Sequence, residues 1–170
     1  MGDYPHDVDV VVREGRPDDW PAICRVFIDA GQTGWRHIVP EPLLADLSAS
    51  EGWQPSNGAN VLVAEVDGHV VGFTVIGPAQ DSDASPAVGE IDAFYTHPSV
   101  WGLGVGRALI AAAVNRLGEL GFEEATLWTE HRNHRPRRFY ELAGWQLDGA
   151  ERRKDYRAIE MLEVRYRIAL

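Results

Sequence analysis

A single cysteine, Cys24, stands in 170 residues, so no internal disulfide can form and a reducing cytoplasm is the expected setting. It lies beside Ile23, Val26 and Phe27 on an expected helix, where packing accounts for it better than nucleophilic chemistry. No apolar run reaches the length that spans a bilayer. The start, MGDYPHDVDV, lacks the basic end and apolar block of a signal peptide, and His6 stands where a myristoylation motif wants Ser or Thr. The histidines show no metal-ligand spacing, so no metal is expected. Bases are scarce early: residues 1–99 hold 16 acids and 4 bases, whereas residues 100–170 hold 10 acids and 12 bases. The net charge of −10 argues against nucleic acid as a partner, and nothing suggests a membrane.

What is present suits one globular domain over residues 1–170, with a real core. Val8 to Arg13 reads as a first strand. Asp18 or Asp19 caps a helix with Pro21 in its first turn, and Gly31 ends it. Gln32 to Pro42 is a link, and Glu41 to Ser48 is a second short helix. Glu51 to Asn60 is a polar loop. Val61 to Val66 and His69 to Ile76 form a hairpin about Asp67-Gly68. Gly77 to Val88 is the most loop-like stretch and is expected to be mobile. Ala125 to Thr129 is a buried strand. A helix from Asn133 to Ala143 follows, then a strand from Trp145. Arg152, Arg153 and Lys154 form a basic loop. Ile159 to Ile168 alternates as a half-buried final strand.

The chain is organised around Gly89 to Arg107, GEIDAFYTHPSVWGLGVGR. Glu90 to Thr96 is a strand that Pro98 must end, because proline cannot donate to a ladder. Gly102, Gly104 and Gly106 then precede a helical run through Val105, Leu109, Ala112, Ala113, Leu117 and Leu120. A helix opening on glycines offers bare N–H groups and a positive dipole end to an anion, most often phosphate. Arg107-Ala108 is not the Lys-Ser/Thr of a Walker loop. The dinucleotide fingerprint fails too, since its third small residue would fall on Arg107 or Leu109.

The frame Trp101-Gly102-Leu103-Gly104-Val105-Gly106 resembles motif A of the GNAT N-acetyltransferases, Gln/Arg-x-x-Gly-x-Gly/Ala, with Trp101 in place of the usual Gln or Arg. Asn133 to Trp145 resembles motif B, with Pro136 and Trp145 replacing Ala and Phe. The element order, β-α-α-β-β-β-α-β-α-β-β, is similar to that family over nearly the whole chain. The resemblance implies an α/β (α+β) fold. Its mixed, mostly antiparallel sheet would have six to seven strands, helices on both faces and a splayed central strand pair. It implies an acetyl-CoA-dependent N-acetyltransferase acting on a primary amine, either a small molecule or a peptide N-terminus or lysine. A non-catalytic acyl-CoA-binding sensor is the alternative, and a homodimer is compatible with the family.

By the same resemblance, residues 101–107 (Trp101, Gly102, Leu103, Gly104, Val105, Gly106, Arg107) bind the pyrophosphate. Arg107 or the cluster Arg135, Arg137 and Arg138 can add phosphate contacts, a solvated charged face being the plain alternative for most of that cluster. Backbone N–H groups near Tyr95 or Thr96 polarise the thioester. Asn133 bonds the pantetheine arm and Tyr140 protonates the departing thiolate. The plain alternatives are a helix cap for Asn133 and simple packing for Tyr140. A carboxylate on the central strand, Glu90 or Asp92, is preferred to His97 as base, with Ile91 and Ala93 on the opposite strand face. Trp35 and His37 fall in the segment that sets acceptor choice in this family.

Overall fold

The computed structural model describes residues 8–47, 60–156 and 159–170. Among the described residues the elements run β1 (Val11–Glu14), a 3-10 turn (Pro17–Asp19), α1 (Trp20–Gly34), α2 (Glu41–Ala45), β2 (Asn60–Val66), β3 (His69–Pro78) and β4 (Val88–Thr96). A second 3-10 turn (Pro98–Val100), α3 (Val105–Glu119), β5 (Glu124–Glu130), α4 (His134–Leu142), β6 (Gln146–Tyr156) and β7 (Ile159–Ala169) complete the order. The strands form one sheet in the order β1-β2-β3-β4-β5-β7-β6. Only β4 and β5 run parallel; every other neighbouring pair is antiparallel.

Each face of the sheet carries its own apolar layer. α3 and α4 cover one face through Ile110, Ala113, Leu117 and Tyr140, packed on Ile76, Ile91, Leu127 and Tyr166. α1 covers the other through Ile23 and Val26, packed on Val63, Phe73 and Val75. The link to α2 adds Ile38, Val39, Leu44 and Leu47 against Met161. Asp67 and Gly68 both have positive φ, 51° and 74°, the left-handed pair that a two-residue hairpin turn requires.

Several boundaries differ from expectation for physical reasons. β1 begins at Val11, where pairing with Glu65 starts. α1 runs three residues past Gly31, because that glycine is a packing site: a Cβ there would lie 2.9 Å from Leu47 Cδ1. α2 is α-helical only to Ala45, with a 3-10 end over 46–47; Ser48 lies outside the described residues, as does most of the expected polar loop, 51–59. The basic triplet Arg152-Arg153-Lys154 is not a loop. It sits in β6, paired with Glu163, Leu162 and Met161. The expected mobile stretch is shortened by β3, which extends to Pro78, and its remainder is held by ion pairs described below.

Two features of β4 shape the site. First, β3 pairs Val75 with Ala93 but Ile76 with Ile91, so Asp92 is an extra residue on β4, a β-bulge. The bulge reverses the alternation. Ile91 and Phe94 join the α3 layer, while Ala93 and Tyr95 pack on the α1 side. The expectation that Ile91 and Ala93 share a face is thereby corrected. Second, β4 pairs with β5 only from Val88/Glu124 to Ile91/Leu127. Beyond that, β5 stays with β7 to Glu130 and β4 stays with β3 to Thr96, so a gap opens between them. This is the splayed central pair the sequence implied.

Candidate active site

The gap has an edge, a base and two walls. Its edge is the second half of β4. His97 N donates to Val71 O at 2.7 Å, which makes Val71 and His97 a hydrogen-bonded antiparallel pair. Alternation along the regular register then turns Tyr95 toward Phe73, and turns the backbone groups of Phe94 and Thr96 toward the gap. Of the two expected polarising residues, Thr96 thus presents its N–H to the gap and Tyr95 does not. Trp101 Nε1 donates to the Thr96 carbonyl at 2.9 Å, as that outward direction allows.

The base of the gap is the glycine turn. Gly102 and Gly104 have φ of 86° and 88°, left-handed values that other residues adopt only at a cost. The first helical bond of α3 runs from Ala108 N to Gly104 O. The N–H groups of Gly104, Val105 and Gly106 therefore lie outside the helical ladder, and no side chain caps the helix at Gly104. Gly102 is exposed and a Cβ there would meet nothing within 4 Å. Gly106 serves a different end: its Cβ would stand 3.3 Å from the Phe139 ring, so it lets α4 approach α3. Val105 is wholly in the core, Leu103 is half-buried and Arg107 is exposed. An open turn of uncapped N–H groups suits an anion such as a pyrophosphate.

The α4 wall carries Asn133 and Tyr140, 8% and 7% exposed. Asn133 makes no side-chain cap bond to its helix, which removes the plain alternative for it. Tyr140 does pack, against Phe94, Phe139 and Tyr166 at ring distances of 6.2, 5.5 and 6.0 Å. Its hydroxyl, however, has no hydrogen-bond partner among the described residues. Burial pushes its pKa well above the usual 10.0, so the phenol keeps its proton. Of the three α4 arginines considered for phosphate, Arg137 is committed to Tyr166 Oη at 3.0 Å and the His131 carbonyl at 2.7 Å. Arg135 lies over the Trp101 indole, 4.2 Å from its centroid. Arg138 is exposed.

The opposite wall is the α1 side of β4. Glu90 is 7% exposed, and its Oε2 accepts the Gln80 N–H at 3.0 Å. Burial raises its pKa above the ordinary 4.5, with Asp81 and Asp92 adding to the rise and the Gln80 N–H and Arg152 opposing it. Asp92 is exposed at the bulge. His97 is turned elsewhere. Its Nδ1 accepts the Ser99 N–H at 3.2 Å, so Nε2 carries the proton and donates to Asp29 at 3.1 Å. Both nitrogens are thus engaged. His37 Nε2 meets the Arg132 carbonyl at 3.1 Å, tying the α1–α2 link to the turn before Asn133. Trp35 joins a ring set with Phe27, Tyr95 and Tyr156.

A second cluster, unforeseen from the order of residues, lies beside this wall. Arg165 is 7% exposed and bonds Asp81, Asp83 and Asp148, while Arg152 pairs with Glu163. Trp128 donates to Asp81 and lies under Arg152, 4.3 Å from ring to guanidinium. The only signal was alternation: Arg165 and Arg167 occupy the polar face of β7, which reads as solvent-facing until a loop covers it.

The chain is similar to known proteins in sequence and in fold. Residues 20–145 match the model of the acetyltransferase (GNAT) family. The N-acetyltransferase YuaI of Bacillus subtilis is 31% identical over 128 residues, 73% of each chain. The mycothiol acetyltransferase of Sanguibacter keddieii is 42% identical over 103 residues, which is 59% of this chain but only 32% of that protein. A GCN5-related N-acetyltransferase structure from Rhodopseudomonas palustris superposes with a TM-score of 0.78 at 18% identity, covering 99% of this chain and all of that one. An acetyltransferase of Salmonella typhimurium, solved with acetyl-CoA, gives 0.68 at 21% identity over 94% and 93% of the two chains. The superpositions, over 94% or more of the chain, show that its fold is that of these acetyltransferases. The chain belongs to the GNAT acetyltransferase family.

Proposed function

We propose that the protein transfers an acetyl group from acetyl-CoA to a primary amine by direct attack in a ternary complex. The observation that carries this reading is Tyr140: a phenol with a buried ring, protonated at any ordinary pH, whose hydroxyl bonds no described residue and whose helix borders the gap. A proton-bearing hydroxyl that no protein group engages, set beside a free strand edge, is available to a reacting partner.

The chain's own groups then divide the work. The N–H groups at Gly104 to Gly106 and the turn before them would hold the pyrophosphate. Asn133 would bond the pantetheine amide. Acetyl-CoA supplies an activated acetyl group and a thiolate leaving group. Thr96 N–H is placed to stabilise negative charge on a carbonyl oxygen in the gap. Glu90 is the candidate base: an alkylammonium has a pKa near ~10.4 and must lose a proton before attack. A carboxyl held above its usual range accepts that proton better than an exposed one, directly or through water. The amine nitrogen bonds the acetyl carbon, the carbon–sulfur bond breaks, Tyr140 gives its proton to sulfur, and the second proton shed by the attacking nitrogen returns to the Tyr140 oxygen through water as the amide forms.

One observation favours a second reading, a sensor that binds acyl-CoA without turnover: Trp101 already occupies the Thr96 carbonyl on the free edge. Free-thiol release with a panel of primary amines separates the two. Release dependent on both acetyl-CoA and amine supports transfer. A melting-temperature rise with acetyl-CoA, but no thiol from any amine, supports the sensor.

A further inference from the structure

We infer that Trp128 is a positioning residue for Glu90: by fixing Asp81, its indole N–H keeps the Gln80 N–H on one oxygen of that carboxylate and leaves the other to take the proton of the amine. This rests on the acetyltransferase reading above, in which Glu90 is the base. The geometry starts in the sheet. Glu90 pairs with Thr126 across β4 and β5, so Trp128, two residues further along β5, lies on the same sheet face. Residues 79–87 fold over that face and bond Glu90, Trp128 and Arg165. Glu90 Oε2 accepts the Gln80 N–H at 3.0 Å, and Oε1 has no bond among the described residues. A hydrogen bond to one oxygen fixes the plane of the carboxylate and draws on that oxygen's charge. The unbonded oxygen is then the more basic of the two.

Gln80 is held from both sides. Before it, Ala79 N donates to Val88 O at 3.0 Å, and Gln80 Nε2 donates to Pro78 O at 2.9 Å. After it, Asp81 opens a turn that Ala84 N closes on the Asp81 carbonyl at 3.0 Å. The Asp81 side chain anchors that turn to the sheet. Trp128 Nε1 reaches both of its oxygens, at 3.0 and 3.2 Å, and Arg165 Nη1 reaches one at 3.1 Å. The side chain is only 15% exposed, so water is poorly placed to replace a lost donor. The two donors do different things. Arg165 spreads its charge over Asp81, Asp83 and Asp148, and so holds the loop as a whole. Trp128 donates to Asp81 alone, from the strand that pairs with Glu90's own. Its ring is pinned by the Arg152 guanidinium at 4.3 Å and the Arg165 guanidinium at 5.4 Å. An indole can only donate, so this bond has one direction at every pH. If Asp81 drifted, Gln80 would follow, water would reach Glu90, and the carboxylate would be free to turn.

The test is Trp128→Phe, which keeps the ring and removes the N–H, made in the parent and in Glu90→Gln. Free-thiol release from acetyl-CoA with the fastest amine of the panel reads the rate, and amide hydrogen exchange by NMR on the full chain reads the loop. In the parent background kcat should fall roughly threefold to tenfold, the scale of one hydrogen bond, with KM for acetyl-CoA unchanged. Exchange at the Gln80 amide should quicken by about tenfold while the Ala79 amide keeps its protection. In Glu90→Gln the same change should lower kcat no further, because the group it positions is gone. Asp81→Ala breaks the bond from its other end and should reproduce both results. An equal loss of kcat in the two backgrounds, or an unchanged Gln80 exchange rate, would overturn the positioning role while leaving acetyl transfer intact. Parental kcat in Glu90→Gln would overturn the base and its positioning together. Thiol release absent from the parent with every amine would overturn the transfer reading and this inference with it.

Discussion

Trp101 and Thr96 are joined by an indole N–H to carbonyl bond of 2.9 Å, made across the very edge of β4 that the splayed sheet leaves free. Arg135 rests on the same indole from α4, so the ring is held from both sides of the gap. Any ligand amide that uses the Thr96 carbonyl must share it with the indole or displace it. Trp101→Phe keeps the ring and removes the N–H. The expected result is tighter acetyl-CoA binding, by a few-fold to about tenfold, the net worth of one hydrogen bond. Isothermal titration reads it, and weaker binding would show that the indole N–H supports the cofactor instead.

Tyr140 and Tyr166 offer a matched contrast. Tyr166 Oη accepts from Arg137 at 3.0 Å and donates to Glu141 at 2.7 Å, while Tyr140 Oη bonds no described residue. Tyr166→Phe should cost about 1–3 kcal/mol of stability, because it leaves Arg137 and Glu141 short of a partner, and should change kcat little. Tyr140→Phe should leave Tm nearly unchanged and lower kcat by roughly 10²–10⁴, the usual worth of a positioned proton donor. Unchanged kcat in Tyr140→Phe removes the phenol from the chemistry.

Glu90 sets a pH dependence whose sign follows from its environment. Its folded pKa lies above the 4.5 of a free carboxyl, mainly through burial. Between those values the folded chain holds a proton that the unfolded chain has lost, so this group makes stability fall as pH rises through that window. Glu90→Gln keeps an acceptor for the Gln80 N–H and removes the buried charge. The variant should therefore gain Tm over the parent at pH 7, with the gain fading toward pH 4.5. Its kcat should drop, and the acid limb of the parent's kcat/KM profile should lie above the ordinary carboxylate range. A limb at the ordinary value would assign the base elsewhere.

Much of the fold was legible because the signals were local. Asp67-Gly68 specified its turn by backbone preference alone, and the alternation of Leu162, Val164, Tyr166 and Ile168 reflected one buried face of β7. The glycine turn was legible for the same reason: positive φ at Gly102 and Gly104 is a demand on single residues. Pairing between strands was not. The bulge at Asp92 exists only because β3 has one residue fewer opposite β4, and the segment Glu90 to Ala93 alternates innocently when read alone. Arg152 to Lys154 looked like a loop because an edge strand exposed on both faces has no hydrophobic period to show. Gly31 looked like a helix end, yet the reason for glycine there is Leu47, sixteen positions on. At the candidate site, Tyr140, Asn133 and Thr96 were proposed from the family resemblance, whereas the contacts of Tyr156 and Arg165 join elements distant in sequence.

The glycine turn can be tested for backbone cost separately from packing. Gly102→Ala adds a methyl to open space, so its whole penalty is the left-handed φ of 86°, about 1–2 kcal/mol. Gly106→Ala has ordinary helical φ and places its methyl 3.3 Å from Phe139 Cε2. That ring stacks on Phe94, so a push there is passed to the edge of the gap. Gly102→Ala is expected to lose stability and acetyl-CoA affinity together. Gly106→Ala should lose less stability but lower kcat by displacing Phe94. Chemical denaturation, titration and steady-state rates on the two variants decide the matter.

Arg165 is the last point at which sequence and site diverge, and it yields the sharpest stability prediction. One buried guanidinium ties the β3–β4 connection to β7 and to the β6 bulge through Asp81, Asp83 and Asp148. Removing a buried partner leaves charges without compensation, so Arg165→Leu should cost about 3–5 kcal/mol. It should also release residues 79–87, detectable as new proteolytic cleavage there. Asp83 is 60% exposed, and water can replace its contact. Asp83→Asn should therefore leave Tm almost unchanged, although Arg165 holds that carboxylate below its usual pKa. Because the same loop supplies Gln80 N–H to Glu90, Arg165→Leu should also disturb the acid limb of the rate profile, at a distance from any reacting atom. If cleavage and the acid limb are both unchanged in Arg165→Leu, the loop is held by something other than this arginine.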